Sequence, residues 1–369
     1  MQHVLQTALS TGLSATSGYH SEKPKPVNRD FNGLDYVLPQ SFVRKSTDRF
    51  KIRAKGGNLE ASYLSIGAWS WGDSATWHWK DEELQAVKEA WKILVENGIN
   101  YIDTAQAYGS GESERICGEL VRDLPRDSYI MQTKWYVVPD NIKNLLSPSG
   151  APIKFLKDSL ERMKLDYVDV YMVHGHIHVS SIKQVAKGLA ECVEQGLTKA
   201  VAVANYSTKD MLAMKEELAK YGIPLAINQC EYHVIRRLPE VEEGLLKACR
   251  ENDIAFQSYS SLAQGRLTGK YTAGNEPPKT YRFSSYPMKD LEPVLEVIRR
   301  IAERRGVSMS AVALNYNIGK GVIPVVGVRK PSQARANLEA FGWRLSEAEY
   351  KEMDNVSILG NDTKLWQQG

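Results

Sequence analysis

The sequence predicts an α/β protein whose eight βα units close into a (β/α)8 barrel of the TIM type, with an N-terminal β-hairpin and long lid loops. Three observations predict it. From residue 59 onward, short apolar runs alternate with longer amphipathic segments, eight of each. The runs are apolar along their whole length, as parallel strands covered on both faces must be. The chain has 369 residues of ordinary globular composition, 43% hydrophobic and 25% charged, enough for one barrel with extensions at both ends.

The strand-like runs are 64–68, 100–103, 128–133, 168–173, 200–203, 225–228, 255–258 and 322–326. The helix-like segments are about 81–97, 112–122, 152–163, 181–195, 208–221, 240–252, 290–305 and 331–340. Stop signals fall where helices should end, at Asn97-Gly98, Gln195-Gly196 and Tyr221-Gly222. Ahead of the first unit, apolar residues flank Gly56-Gly57-Asn58, which predicts a hairpin over 50–63 placed to plug the barrel floor. Segments 136–150 and 262–288 exceed ordinary loop length and read as functional lids. The organisation is therefore an arm over 1–49, a barrel over 50–345, and a helix with a tail over 346–369.

Lys and Arg number 47 and Asp and Glu 44, a net charge of +3 with the two signs interleaved. That is no nucleic-acid footprint. No run of 18 apolar residues exists to cross a membrane. Cys117, Cys192, Cys230 and Cys249 stand apart and read as buried reduced thiols. Residues 1–49 are rich in Ser, Thr, Gln and Pro, but Glu22, Asp30, Asp35 and Asp48 argue against a transit peptide. The expectation is a cytoplasmic protein, with a plastid or mitochondrion as the alternative. Residues 34–43 carry enough apolar side chains to dock on the body. No heptad or apolar stripe marks a partner surface, so a monomer or weak oligomer is expected.

In such a barrel the chemistry sits where strands end. The second run ends in Asp103, the third in Lys134 and the fourth in His174, and Tyr108 follows Asp103 by five residues. An acid, a lysine, a tyrosine and a histidine thus converge on one rim. A carboxylate–ammonium pair places positive charge beside the phenol, which favours phenolate and brings a group with an ordinary pKa of about 10 toward usefulness. Histidine adds a hydrogen bond to a substrate oxygen. The set suits protonation of an oxygen as negative charge builds on it, which is what carbonyl reduction requires.

At these residues the sequence resembles the aldo-keto reductase family, closest to the plant and fungal branch that resembles pyridoxal reductases. The matching segments include Asn97 to Ala105 with Tyr108-Gly109, Thr133-Lys134, Asp169-Val170-Tyr171 with His174, and Asn228-Gln229 with Tyr232. Tyr259 to Gly265, Leu267 to Tyr271, and Ile323 to Arg329 with Gln333 and Asn337 also match. The resemblance covers roughly residues 50–350. It implies an NADP(H)-dependent carbonyl reductase acting on a small-molecule aldehyde or ketone, with Asp103, Tyr108, Lys134 and His174 as the catalytic set and Tyr108 as the acid. It further implies that Asn205 and Gln229 hold the nicotinamide carboxamide and Tyr259 stacks on the ring. Ser260, Leu262 and Gln264 would follow the pyrophosphate. Gly327, Arg329, Gln333 and Asn337 would surround the adenosine phosphate, a site that also reads as an anion site between a strand and a helix N-terminus. Two departures stand out: Ala204 replaces the usual Ser before Asn205, and Gly175-His176-Ile177-His178 replaces a tryptophan-containing segment. Trp69, Trp71 and Trp135 are expected to line the substrate pocket, with Trp77 and Trp79 on the same early loop.

Two rival readings come from the same residues. Alternating His174, His176 and His178 resemble the ligands of a metal-dependent barrel hydrolase. Of His3, His20, His78 and His233, only His233 lies near a later strand end, so no metal is expected. Gly109 to Glu114 loosely matches a dinucleotide fingerprint but lacks its third glycine. Glu112 and Glu114 are expected instead to cap the following helix. A barrel that holds cofactor for binding or regulation without fast turnover is the alternative from another functional class.

Overall fold

The computed structural model describes residues 24–27, 31–135, 149–175, 180–241, 244–278 and 286–360. Strands β1 (Arg49–Ala54) and β2 (Gly57–Ser62) form an antiparallel hairpin. Its tight turn uses Gly56 at φ +84°, a conformation that glycine adopts without strain. The remaining strands are β3 (Ser65–Gly67), β4 (Tyr101–Asp103), β5 (Ile130–Trp135), β6 (Val168–Val173), β7 (Thr198–Ala204), β8 (Leu225–Glu231), β9 (Ala255–Tyr259) and β10 (Ile323–Gly327). All eight run parallel, and β10 closes the barrel by pairing with both β9 and β3.

Helices between the strands bury one stripe. Leu84–Glu96 buries Val87, Ala90, Trp91 and Leu94, the three-and-four spacing of one helix face. Ser181 caps Ile182–Glu194 and is capped in return by Gln184. Among the described residues, one long helix lies outside the expected segments. Met309–Gly319 is buried at every residue from Ser310 to Gly319, so no polar face gives it an amphipathic period.

The hairpin closes the end of the barrel where the strands begin. Ile52 and Ala61 pack with Tyr101, Ile130, Val170, Ala200 and Ala226 in one apolar cluster. The opposite end, where β4 finishes in Asp103 and β5 carries Lys134 one residue before its end, is left for chemistry.

Part of the N-terminal arm lies along the barrel flank. Leu38 N–H donates to the Gly319 carbonyl (2.8 Å) and Gly342 N–H to the Arg44 carbonyl (2.8 Å). Arg344 donates to the carbonyls of Leu38 and Pro39. Beneath it, Arg237, Glu240, Lys320 and Asp354 form a buried group of two cations and two anions. Burial opposes charge on Glu240, yet Lys320 and Arg237 outweigh it and hold its carboxyl at about 2. The C-terminal helix Glu347–Val356 carries a capping box between Ser346 and Glu349.

All four cysteines are buried, and none forms a disulfide among the described residues. Among the described residues no helix is long and apolar enough to cross a membrane. Of the two expected lids, residues 136–148 and 279–285 lie outside the described residues. The second lid otherwise begins with a tight turn over Ala263–Thr268.

Candidate active site

The four rim residues meet. Asp103 ends β4 and Lys134 lies one residue before the end of β5. Lys134 is wholly buried, with Nζ 2.6 and 2.7 Å from the two oxygens of Asp103 and 3.0 Å from the Thr104 carbonyl. Its third direction reaches the Tyr108 hydroxyl at 3.3 Å. Burial opposes charge on Lys134, but Asp103 and Tyr108 together reverse that and hold its pKa above the ordinary lysine value. His174 follows β6, and its Nε2 lies 3.4 Å from the Tyr108 hydroxyl. Tyr108 stands on a turn placed by close backbone contact: a Cβ on Gly109 would lie 2.6 Å from the Gly72 carbonyl oxygen, and Gly109 has φ +54°.

Behind the ion pair runs a buried glutamine network that sequence reasoning missed. Gln132 donates to Asp103 Oδ1 and, at 3.0 Å, to Gln257 Oε1. Gln229 donates to the same Gln257 oxygen at 2.6 Å, and Tyr101 donates to Gln132. Gln132 and Gln257 are fully buried, so their amides fix one another inside the barrel. The signal was present as a polar residue inside two otherwise apolar runs.

Trp69 stacks on Tyr108, with ring centroids 5.3 Å apart and planes 12° from parallel. Asp73 holds that indole by its Nε1 (3.1 Å) and also caps the short turn Ser74–Trp77. Trp77 meets Trp69 edge-on.

Three of the residues expected at the nicotinamide end also converge. Tyr259 donates to Asn205 Oδ1 (2.9 Å), and the Asn205 N–H donates to the Gln229 carbonyl (2.9 Å). Beyond β9 the backbone turns through positive φ at Ser260 (+52°), Ala263 (+48°) and Gln264 (+57°). Such strained runs gather at ligand sites. After β10, Gln333 accepts the Arg329 backbone N–H at 2.7 Å. Asn337 is buried, and its Nδ2 has no partner among the described residues. The Arg329 side chain is engaged by Glu83, which sequence reasoning did not connect to it.

The aldo/keto reductase family profile matches residues 63–358. The chain belongs to that family. A chloroplastic pyridoxal reductase of Arabidopsis thaliana is 29% identical over 82% of this chain and 85% of its own length. The aldo-keto reductase YhdN of Bacillus subtilis is 30% identical over 81% of this chain and 90% of its own. A solved glycerol dehydrogenase, AKR11B4 from Gluconobacter oxydans, superposes with a TM-score of 0.71 at 26% identity, covering 86% of this chain and 98% of the other. Membership in the aldo/keto reductase family carries the coarse activity with it: an oxidoreductase of carbonyl compounds that uses a nicotinamide cofactor.

Three expectations about the aldo/keto reductase site need correction. Trp71 is only 1% exposed and donates its indole N–H to the Val328 carbonyl (2.7 Å), so it packs β3 against β10 and is no open pocket wall. Trp135 is equally buried and presents no open face. Glu112 and Glu114 stand in the first turn of the helix Glu112–Val121 as expected, but its N-cap is Gly111 and neither carboxylate caps it by a hydrogen bond. Glu112 pairs with Arg115 on the surface, while the buried Glu114 accepts from Thr133 (2.6 Å) and Arg162 (2.5 Å), anchoring the strand that carries Lys134. His176 and His178, the basis of the metal reading, lie outside the described residues. Among the described residues no group of three metal-ligating side chains exists.

Burial, with Lys134 adding to it, holds His174 well below the ordinary histidine value. Burial also lowers His233, against the opposing pull of Glu231. Both imidazoles are therefore neutral near pH 7. The unfolded chain binds protons at these positions below about pH 6.5 and the folded chain resists them, so stability falls as pH drops through that value. Denaturant titrations at pH 5.5 and 7.5 should show this loss, and His233→Asn should flatten the slope by about 1 kcal/mol per pH unit at most.

Proposed function

We propose that the protein reduces an aldehyde or ketone to the alcohol with NADPH, Tyr108 giving the proton. The observation that carries this reading is the Tyr108 hydroxyl, set between Lys134 Nζ at 3.3 Å and His174 Nε2 at 3.4 Å. A carbonyl oxygen seated there meets the phenol proton on one side and the neutral imidazole on the other. When bound, the reduced nicotinamide supplies a hydride to the carbonyl carbon. As charge builds on the oxygen, the Tyr108 O–H proton moves onto it, and the phenolate left behind faces the Lys134 ammonium. Asp103, held by Gln132, keeps that ammonium charged and aimed.

The residues present fit the cofactor. Asn205 and Gln229 would hold the carboxamide, Tyr259 the ring, and Ser260, Leu262 and Gln264 the pyrophosphate. Gly327, Arg329, Gln333 and Asn337 would hold the adenosine phosphate, where the Asn337 Nδ2 is a buried donor awaiting an acceptor. Trp69, partly exposed beside Tyr108, favours a flat aromatic aldehyde. The pyridoxal reductase among the relatives points the same way.

A carbonyl panel including pyridoxal and benzaldehyde, read by NADPH consumption, tests the proposal. Aromatic aldehydes should turn over fastest. No oxidation across the panel while NADPH still binds would favour the cofactor-holding barrel instead. Arg329→Ala should raise the Kd for NADPH by about tenfold to a hundredfold and leave NADH within a factor of about two, since only NADPH offers a 2′-phosphate. Fluorescence titration with both cofactors checks it; equal weakening would remove Arg329 from that role.

A further inference from the structure

Glu83 ends a tight turn, Asp81–Glu83, made of three consecutive carboxylates just before the helix Leu84–Glu96. It grips Arg329 across 246 positions of sequence: the Arg329 Nε donates to Glu83 Oε2 at 2.7 Å and Nη2 donates to Oε1. Arg329 Nη1 donates to the Trp77 carbonyl at 3.0 Å, and the guanidinium lies 5.7 Å from the Trp79 ring centre. Glu83 also accepts the Lys80 backbone N–H (3.3 Å), which fixes the carboxylate in place. The fork of Arg329 that best matches a phosphate is thus already filled by an anion. Its charge is cancelled, and Asp81 and Glu82 add negative charge at the same corner. Lys80 and Lys330 are the neighbouring cations in sequence, and neither is paired with Glu83 through its ammonium.

We propose that Glu83 is a specificity-determining residue: its carboxylate competes with the cofactor's 2′-phosphate for Arg329 and so narrows the preference for NADPH over NADH. The proposal rests on the reading of Arg329 as the residue that meets that phosphate. NADPH must displace or share the Glu83 contact and sit beside its charge, whereas NADH leaves the Glu83–Arg329 pair intact. The pair is partly exposed, with 23% and 26% of the two side chains accessible, so solvent screens it and the effect is moderate rather than absolute.

The test uses the full chain as wild type, Glu83→Gln, Glu83→Ala, Arg329→Ala and the Glu83→Gln/Arg329→Ala double variant. Dissociation constants for NADPH and NADH are read from quenching of tryptophan fluorescence, with melting curves confirming that each variant is folded. Glu83→Gln should tighten NADPH by about tenfold and leave NADH within about twofold. Glu83→Ala must move in the same direction, and the gain should vanish in the double variant. Unchanged or weaker NADPH binding in both Glu83 variants would overturn the proposal, because the carboxylate would then be preparing Arg329 for phosphate. Equal tightening of both cofactors would overturn it as well. The Arg329→Ala arm separates the two ideas: if it leaves the NADPH-to-NADH ratio unchanged, the reading of Arg329 fails; if it shifts the ratio and the Glu83 variants do not, only the role of Glu83 fails.

Discussion

Tyr108→Phe is expected to abolish nearly all turnover, by about 10²- to 10⁴-fold, while leaving cofactor affinity within a small factor of wild type. The phenol oxygen is the group the reacting carbonyl would meet, and the Lys134 ammonium faces it at 3.3 Å. Loss of that oxygen should not disturb the fold. The ring keeps its stacking on Trp69, and Lys134 keeps Asp103 and the Thr104 carbonyl as partners. Steady-state kcat by NADPH consumption, alongside a binding titration, measures both halves of the expectation. A Phe variant retaining more than about a tenth of wild-type kcat would remove Tyr108 from the proton-donor role.

Asp103→Asn is expected to have the largest effect on stability and a distinct effect on pH dependence. The Lys134 side chain is fully buried between both oxygens of Asp103, and an amide there cannot satisfy it. Gln132 donates to one of those oxygens, so an Asn side chain must turn its own N–H2 toward either Gln132 or Lys134. Leaving a buried cation without its counter-charge costs about 3–5 kcal/mol. Denaturant unfolding should show that loss. Without Asp103, burial dominates and Lys134 gives up its proton more easily. The alkaline limb of the kcat profile should therefore move to lower pH, because the ammonium that faces the phenolate disappears sooner as pH rises. Wild-type stability together with an unmoved alkaline limb would contradict the paired-charge account.

Much of the barrel was legible because strands and helices bury different patterns. The run 168–173 matches β6 at both ends, since Val168–Val173 is apolar except for Asp169 and covered on both faces. The run expected at 128–133 was displaced: the strand spans Ile130–Trp135, because Lys134 and Trp135 continue the ladder with β6 although a lysine reads as the end of an apolar run. Met309–Gly319 was missed for the opposite reason, being buried on all sides. The four rim residues were legible because each stands at a strand end or just beyond. Their supporting cast was not. Gln132 and Gln257 lie 125 positions apart, and Glu83 and Arg329 246 apart, so neither pairing means anything until the closed sheet brings the elements together. Trp71 shows the converse limit: its residue type suited a pocket wall, but a carbonyl 257 positions away claimed its indole.

The meeting of β3 with β10 also dictates an order of assembly. The seven other strand pairings in the barrel all join consecutive strands and can form as soon as each unit emerges during synthesis. The seam at Ser65 and Val325 cannot, and until residues 323–327 exist the nascent wall keeps a raw edge at β3. Exposed edges invite pairing with other chains, and long-range closures are slow. The docked arm follows later still, because its Arg344 anchors lie 305 and 306 positions downstream of the carbonyls they hold. The nascent protein therefore keeps an aggregation-prone edge until residues 323–327 have been made, and sealing that seam is the event that ends the exposure.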